Sequence, residues 1–413
     1  LEHAPGLRGV LAYDLMLDAP VLRGNVPWRT VDTSKSWSCR WSDADMADLY
    51  LYMEAGFGFD QTKKIDIAFK SVTRRHAFHP VREYLEGLVW DGTDRLDTML
   101  VRWMGAEDTP FVRAATRKWM CGAVARVLQP GCKFDNMLVL TGAQGIGKSE
   151  LGRQLSRGWF SDSISRMDNS KESMEAVKGS WIIEVAELAA MRKGEQEGLK
   201  NYLTKQQDKM RGAYKEFVTE TPRCCVFYGT TNDKTFLRDH TGNRRFWPVE
   251  VRGVGHGEKL KNELGAEVDQ LWAEAVVRYH AGEVLWMDGK LAELAAQAQD
   301  EHIEVGEYEI DRELIVEYLN TPVPENWDSR DKYQKRAYFE QASGTEDLGR
   351  QTTGTVLRQK ILLREIAWEL FGEAQTRART NVTKRINDVM ASLPAWERAR
   401  YNSGWGWRRE QES

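Results

Sequence analysis

Apolar positions recur at helical spacing in the first third of the chain and close up into short continuous runs in the middle. "WSDADMADLYLYMEAGFG" (41–58) reads as a helix started by Ser42 or Asp43 and stopped by Gly56. "HPVREYLEGLVWDGTDRLDTML" (79–100) predicts two short helices around the Asp91-Gly92 turn. "FVRAATRKWMCGAVARVL" (111–128) predicts a longer helix with a strong apolar face. The pattern then changes. "MLVL" (137–140), "WIIEVA" (181–186), "CCVFYG" (224–229) and "FWPVEV" (246–251) are short apolar runs, each followed by polar or helix-patterned chain. Such alternation predicts a mainly parallel sheet with helices on its faces. A last helix of this region is expected over "NELGAEVDQLWAEAVVRYHAG" (262–282), ended by Gly282.

Residues 320–355 are polar and punctuated by Pro and Gly, which marks a linker. Beyond them, "VLRQKILLREIAWELFG" and "TRARTNVTKRINDVMASL" predict two helices, and "WERARYNSGWGWRR" a two-stranded ribbon with a Gly-rich tip. The expected division is a mostly helical or mixed N-terminal domain (1–100), an α/β core (101–290), a helical segment and linker (291–355), and a C-terminal unit (356–413). No internal repeat is visible.

Composition narrows the options. The chain has 413 residues, 41% hydrophobic and 29% charged, as a soluble protein of two or three domains would. The net charge of −4 supplies no global basic field, so any nucleic-acid contact must be local. Locally there is one: residues 355–413 hold eleven Lys/Arg against seven Asp/Glu, a net of +4. No apolar run reaches membrane-spanning length. The opening "LEHAPGLRGV" lacks a signal-peptide pattern, and a start at Leu1 fits a piece of a longer protein. Five cysteines without C-x-x-C spacing argue against zinc and a disulfide framework and fit a reducing cytoplasm.

The sharpest chemical signal is "GAQGIGKS", residues 142–149, directly after a predicted strand and before a predicted helix. Gly142, Ala143, Gln144, Gly145, Ile146 and Gly147 can turn backbone N–H groups inward on phosphate oxygens, and the following helix adds its positive end. In such a loop Lys148 reaches the β- and γ-phosphates and Ser149 ligates Mg²⁺. ATP and Mg²⁺ are therefore the expected cofactors.

A phosphate loop also needs carboxylates for the metal and for the attacking water. "WIIEVAEL" supplies Glu184 at the rim of a strand and Glu187 three residues on. Glu184 is the candidate metal-side acid and Glu187 the candidate base, with the two roles open to exchange. Asn232, at the end of "CCVFYGTTN", can orient the attacking water or merely cap a turn. Between these strands, "LKNYLTKQQDKMRGAYKEF" (199–217) interleaves cations with aromatics. Lys205, Lys209, Arg211, Tyr214 and Lys215 are the candidate DNA-binding residues, since cations track phosphates while aromatics stack on bases, although the first half of the stretch reads equally as a solvated amphipathic helix with its aromatics in the core. Lys209–Lys215, around Gly212, suits a hairpin-like loop. Finally, "FLRDHTGNRRFWPVEV" mounts Arg244 and Arg245 behind a tight turn, where a rigid cation pair suggests an anionic partner or an ion pair with Asp239 or Glu250.

These pieces in this order resemble the superfamily 3 helicases, a branch of the AAA+ ATPases. More narrowly they resemble the virulence-associated protein E family of phages and mobile islands. The carrying residues are "HPVREYLEGLVWDGTDRL", "GCKFDNMLVLTGAQGIGKS", "WIIEVAEL", "LTKQQDKMRGAYKE", "FYGTTND" and "FLRDHTGNRRFWPVEV". One departure stands out: many AAA+ proteins have two adjacent acids where this chain has Glu184 followed by Val185. The resemblance implies an AAA+-like phosphate-loop core and a homo-hexameric ring. It implies an ATP-dependent helicase that grips single-stranded or forked duplex DNA and moves 3′ to 5′, with a primase upstream or in trans. It places the protein in the cytoplasm of a bacterial host. It makes Arg244 or Arg245 an arginine finger for the ATP of a neighbouring protomer. The C-terminal unit looks like a winged helix, binding DNA or docking on protein, with "TNVTKRINDVM" as recognition helix, capped by Thr380 or Asn381, and "YNSGWGWRR" as wing. The competing reading is an ATP-dependent switch that binds DNA or protein without unwinding.

Overall fold

Helix Pro110–Leu128 has almost no face left for water: 15 of its 19 residues are buried. Thr109 caps its first turn by accepting from the Val112 N–H (3.2 Å), and Pro110 supplies the preset first φ. A helix apolar nearly all round belongs in a core. Two indoles tie it to the strands beside it. Trp119 Nε1 donates to the Phe227 carbonyl (2.9 Å), and Trp181 Nε1 donates to the Ala123 carbonyl (3.1 Å).

The computed structural model describes residues 1–31, 39–162, 177–210, 219–238, 242–253, 260–303, 307–342, 354–372 and 381–409. The chain divides into two compact units, Leu1–Glu304 and Val305–Ser413. Among the described residues no helix is long and apolar enough to cross a membrane.

The first unit is a mixed α/β structure built on a five-stranded sheet, all of it parallel. From one edge the strands run Phe246–Glu250, Met137–Thr141, Val226–Thr231, Ile182–Val185 and Phe160–Ser161. The four main strands are the four apolar runs read from the sequence. Every residue of the three inner strands is buried, as a parallel sheet covered on both faces requires. Helix Gly265–His280 lies in the same core, and Trp272 stacks on Trp181 with centroids 4.2 Å apart. Its Glu274 is fully buried, yet it accepts from the backbone N–H groups of Arg95 (2.7 Å) and Leu96 (2.9 Å) and pairs with Arg278 (3.3 Å). That carboxylate fixes the segment between the short helices Pro80–Glu86 and Met99–Met104.

The N-terminal part holds the expected helix, Asp43–Phe57, started by a Ser42–Asp45 capping box. It ends at Gly58 (φ 63°), two residues beyond Gly56, because Gly58 takes the left-handed conformation that closes the turn. This part also carries a four-stranded sheet, Cys39–Arg40, Ala19–Leu22, Leu11–Asp14 and Ala77–Phe78 in spatial order.

The second unit packs helices Glu307–Asn320, Lys332–Ala342, Leu363–Glu369 and Asn381–Ala391 with a three-stranded sheet. Lys332–Ala342 lies inside the stretch read as a linker, and Trp327 and Phe339 from that stretch join the core. Arg358 is buried beneath the Tyr318 ring (3.9 Å) and beside Glu369 (3.6 Å).

Gly122 is the tight point of the central helix. A Cβ there would lie 2.3 Å from Phe134 Cζ, and Phe134 is itself packed on Trp247. Gly122→Ala should therefore destabilise the first unit by about 1–3 kcal/mol, the cost typical of overpacking. A thermal-shift measurement should show a lower midpoint, partly restored by Phe134→Leu. An unchanged midpoint in Gly122→Ala would mean that the Phe134 ring moves aside freely.

Candidate functional site

The strand Met137–Thr141 ends at its carboxyl edge in the Gly142–Gly147 loop, and helix Lys148–Leu155 follows at once. Only glycine serves at two points of the loop. Gly142 has φ 153°, and a Cβ would sit 2.2 Å from the Val251 carbonyl oxygen. Gly147 has φ 95°, and a Cβ would meet Leu260 at 2.4 Å. The loop leaves the carboxyl end of a strand flanked on both sides, where open α/β sheets place their ligands.

Lys148 is buried, and its ammonium lies inside the loop. Nζ donates to the carbonyls of Gly142 (2.6 Å) and Ala143 (2.7 Å) and to Asn232 Oδ1 (3.1 Å). Burial pulls its pKa down, while the Glu184 carboxylate pushes it up. Asn232 thus meets the loop directly, across from the adjacent strand. Tyr228 fixes the start of the helix from beneath, donating from its hydroxyl to the Lys148 carbonyl (2.7 Å).

Ser149 and Glu184 also come together. Ser149 Oγ donates to Glu184 Oε1 (2.6 Å), and Thr230 Oγ1 donates to the same oxygen (2.7 Å). Glu184 is buried, so these two hydroxyls are what make a carboxylate tolerable in the sheet. The three residues come from the loop helix and two adjacent strands. Their oxygens form a hard-donor cluster of the kind that takes Mg²⁺ with few protein ligands. Glu187 lies past the strand end in the left-handed region (φ 54°). Its exposed carboxylate makes no hydrogen bond or ion pair among the described residues.

Arg244 and Arg245 lie on a 3-10 turn, Asn243–Arg245, that opens the edge strand Phe246–Glu250. The register sets Phe246 beside Met137 and Glu250 beside Thr141. The turn is therefore at the opposite end of the sheet from the loop, a strand length of roughly 13 Å away at about 3.3 Å per residue. The two arginines differ. Arg245 is partly buried, donates to the Gly242 carbonyl (3.1 Å) and approaches Asp135 (3.9 Å). Arg244 is exposed, and its side chain has no partner among the described residues; its carbonyl is held by Asn136 Nδ2 (2.9 Å). Glu250 pairs with Lys234 (3.5 Å), not with either arginine. Asp239, the other acid considered for them, lies outside the described residues.

The basic stretch is anchored as a hairpin. Strands Gln207–Met210 and Thr219–Pro222 pair antiparallel, with Met210 opposite Thr219. At its base, buried Arg223 grips Asp208 through two bonds of 2.8 Å and donates to the Tyr202 carbonyl (2.6 Å). Lys205 lies 4.9 Å from the Tyr202 ring. The backbone of Lys209 is in the first strand, but Arg211, Tyr214 and Lys215 lie outside the described residues. Thr380 does too.

Nothing in the sequence pattern marks Thr230, Tyr228 or His302. Thr230 and Tyr228 sit inside an apolar run, where a hydroxyl carries no signal until its partner is known. His302 accepts from the Thr141 hydroxyl (3.4 Å) through Nε2, with its Nδ1 on the Ala298 carbonyl (2.6 Å). Burial holds its pKa below the usual range, which suits that neutral role.

No curated protein matches the chain. Solved structures similar to it include the A-form apo structure of the NrS-1 C-terminal region (305–718), at 12% identity and TM-score 0.48, covering 97% of this chain and 96% of that one. A second A-form apo structure of the NrS-1 C-terminal region shows 13% identity and TM-score 0.48, with 97% and 95% covered. An apo structure of the same region (305–718) shows 12% identity and TM-score 0.43, with 97% and 95% covered. A family model, the virulence-associated protein E-like domain, matches residues 85–304, a span that holds the loop, Glu184, Glu187, Asn232, the hairpin and both arginines. That span is more than half of the chain, and the chain belongs to the virulence-associated protein E-like family.

Proposed function

We propose that this protein is an ATPase with an AAA+-like core that moves along single-stranded DNA as a superfamily 3-type helicase, in replication of a phage or mobile element. One observation carries the reading: at the Gly142–Ser149 loop Lys148 meets Asn232 and Ser149 meets Glu184. This is a set of cation, amide and hard oxygen donors gathered at a glycine loop and a helix start.

In this reading the loop amides and Lys148 take the β- and γ-phosphates of ATP. Lys148 exchanges its two loop carbonyls for phosphate oxygens, trading dipoles for charge. Ser149 and Glu184 hold Mg²⁺, which neutralises charge on the phosphates. Water oriented by Asn232 attacks the γ-phosphorus as its bond to ADP breaks, and Glu187 takes the water's proton. Arg244 serves the ATP of a neighbouring protomer, since its own loop is a strand length away. Arg245 holds the turn. The paired strands 207–210 and 219–222 are clamped by Arg223 and Asp208, and Lys205, Lys209, Arg211, Tyr214 and Lys215 contact a single strand.

Lys148→Ala should lower ATP hydrolysis by on the order of 10²-fold or more, because a phosphate contact is lost, with only a small drop in melting temperature, because water can reach the Gly142 and Ala143 carbonyls it releases. Normal turnover in this variant would remove the loop from the mechanism. Glu184→Gln should weaken Mg²⁺-dependent ATP binding, whereas Glu187→Gln should bind ATP and stall. Equal, normal kinetics in both would leave the acidic strand end structural. Arg244→Ala should bind ATP yet lose about 10³-fold or more in turnover, within the range arginine fingers supply, and should regain part of it when mixed with Lys148→Ala chains. Arg245→Ala should instead lower the melting temperature. The reverse assignment would follow if Arg245→Ala alone gave recovery on mixing. A severalfold rise in ATPase rate on adding single-stranded DNA is expected of the wild type; no rise would favour an ATP-dependent switch.

A further inference from the structure

In the second unit, strands Trp396–Tyr401 and Gly404–Arg409 form a hairpin joined by Asn402 and Ser403. Its ladder sets a tryptophan against an arginine three times: Trp396 opposite Arg409, Trp407 opposite Arg398, Trp405 opposite Arg400. These positions alternate by two, so all three pairs share one face. The inner end of that face belongs to the core, with Trp396 and Trp407 buried. The outer end does not: Trp405 is 50% exposed. The Arg398 guanidinium lies 4.7 Å from the Trp405 ring centroid and that of Arg400 5.6 Å.

Charge distinguishes the two faces. On the other face Arg408 is neutralised by Glu397 (2.8 Å). Arg398 and Arg400 are exposed and have no acidic partner among the described residues. The neighbouring helix Asn381–Ala391, expected to be the recognition element, has its Arg385 held by Asp311 through two bonds of 2.6 Å. Arg409 is likewise held, by the Leu319 carbonyl (3.1 Å) and Asn320 (3.2 Å). The uncompensated charge thus collects at the one half-open aromatic of the ribbon.

We propose that the outer end of this hairpin is a second nucleic-acid contact, in which an unpaired base stacks on Trp405 while Arg398 and Arg400 take the adjacent phosphates. A single cross-strand arginine would satisfy the ring. A second one with no acid nearby leaves a planar, forked cation for an anion, and a base offers the π-face that an indole stacks on. The site involves no nucleotide hydrolysis, so it stands or falls apart from the ATPase reading.

The test uses the full chain without ATP, titrated against a labelled oligothymidylate and followed by anisotropy across a salt series. Trp405→Ala should weaken binding roughly tenfold, within the range for loss of one stacked base, and Trp405→Phe should keep most of the affinity. Arg398→Gln with Arg400→Gln should reduce the salt slope by about 1.4, two phosphates at about 0.7 each. Both effects should persist in a Lys209→Ala, Lys215→Ala background, which removes two cations of the other hairpin. Photocrosslinking with 5-iodouracil should label the peptide containing Trp405. Unchanged affinity in Trp405→Ala, equal losses with Phe and Ala, or an unchanged salt slope in the arginine variant would each overturn the proposal. The arginine variant guards against a Trp405→Ala chain that simply loses its fold.

Discussion

A parallel strand covered on both faces leaves no room for an unsatisfied polar group along its length. That constraint shapes the first unit. With Met137–Thr141, Ile182–Val185 and Val226–Thr231 buried throughout, polar chemistry is driven to the carboxyl ends of the strands. There it must satisfy itself. Glu184 does so with two hydroxyls, and Lys148 with two loop carbonyls and an amide. Each of these bonds can be traded for a ligand's charge.

The helix Pro110–Leu128 and the paired indoles of Trp181 and Trp272 hold the opposite, amino-terminal end of the sheet, where Trp181 leads into Ile182 and Phe227 sits beside Met137. Their donors reach backbone carbonyls across elements, so they position strands as well as fill space. Buried ionic groups elsewhere follow the same rule. Glu274 is admitted because two N–H groups and Arg278 meet it, and Arg223 because Asp208 and a carbonyl do.

Much of this could be read from the sequence, and the reasons are local. The glycine loop, its strand and its helix are contiguous, and Gly142–Ser149 lies in one stretch whose spacing carries its chemistry. Glu184 lies in, and Asn232 just after, continuous apolar runs, "WIIEVA" and "CCVFYG", which stand out without any alternation. The N-terminal sheet was not legible strand by strand. Its strands have two to four residues, too few for a period of two to emerge. The helix Lys332–Ala342 hid in a charged run whose aromatics, Tyr333, Tyr338 and Phe339, do not fall three or four residues apart. Partnerships across long separations were invisible for a different reason. Thr230 with Glu184, and Arg385 with Asp311, are 46 and 74 residues apart, and nothing in either residue's neighbourhood names the other. Sequence also could not divide the labour between Arg244 and Arg245. Their separate surroundings, one exposed and one against Asp135, come from how the turn meets the start of the neighbouring strand.

The placement of that turn has a geometric consequence for assembly. The glycine loop and Arg244 occupy opposite ends of the same rigid sheet, with a strand fixing the distance between them. If Arg244 serves another copy's loop, the two surfaces that meet are different patches. A two-fold dimer joins them only if both ends lie in one self-complementary patch, so that each copy's cation end meets the other's loop. Otherwise copies follow one another head to tail, each offering its cation end to the next one's loop. Such a chain has two fates, an open helical filament or a closed circle, and the rotation from one copy to the next decides between them.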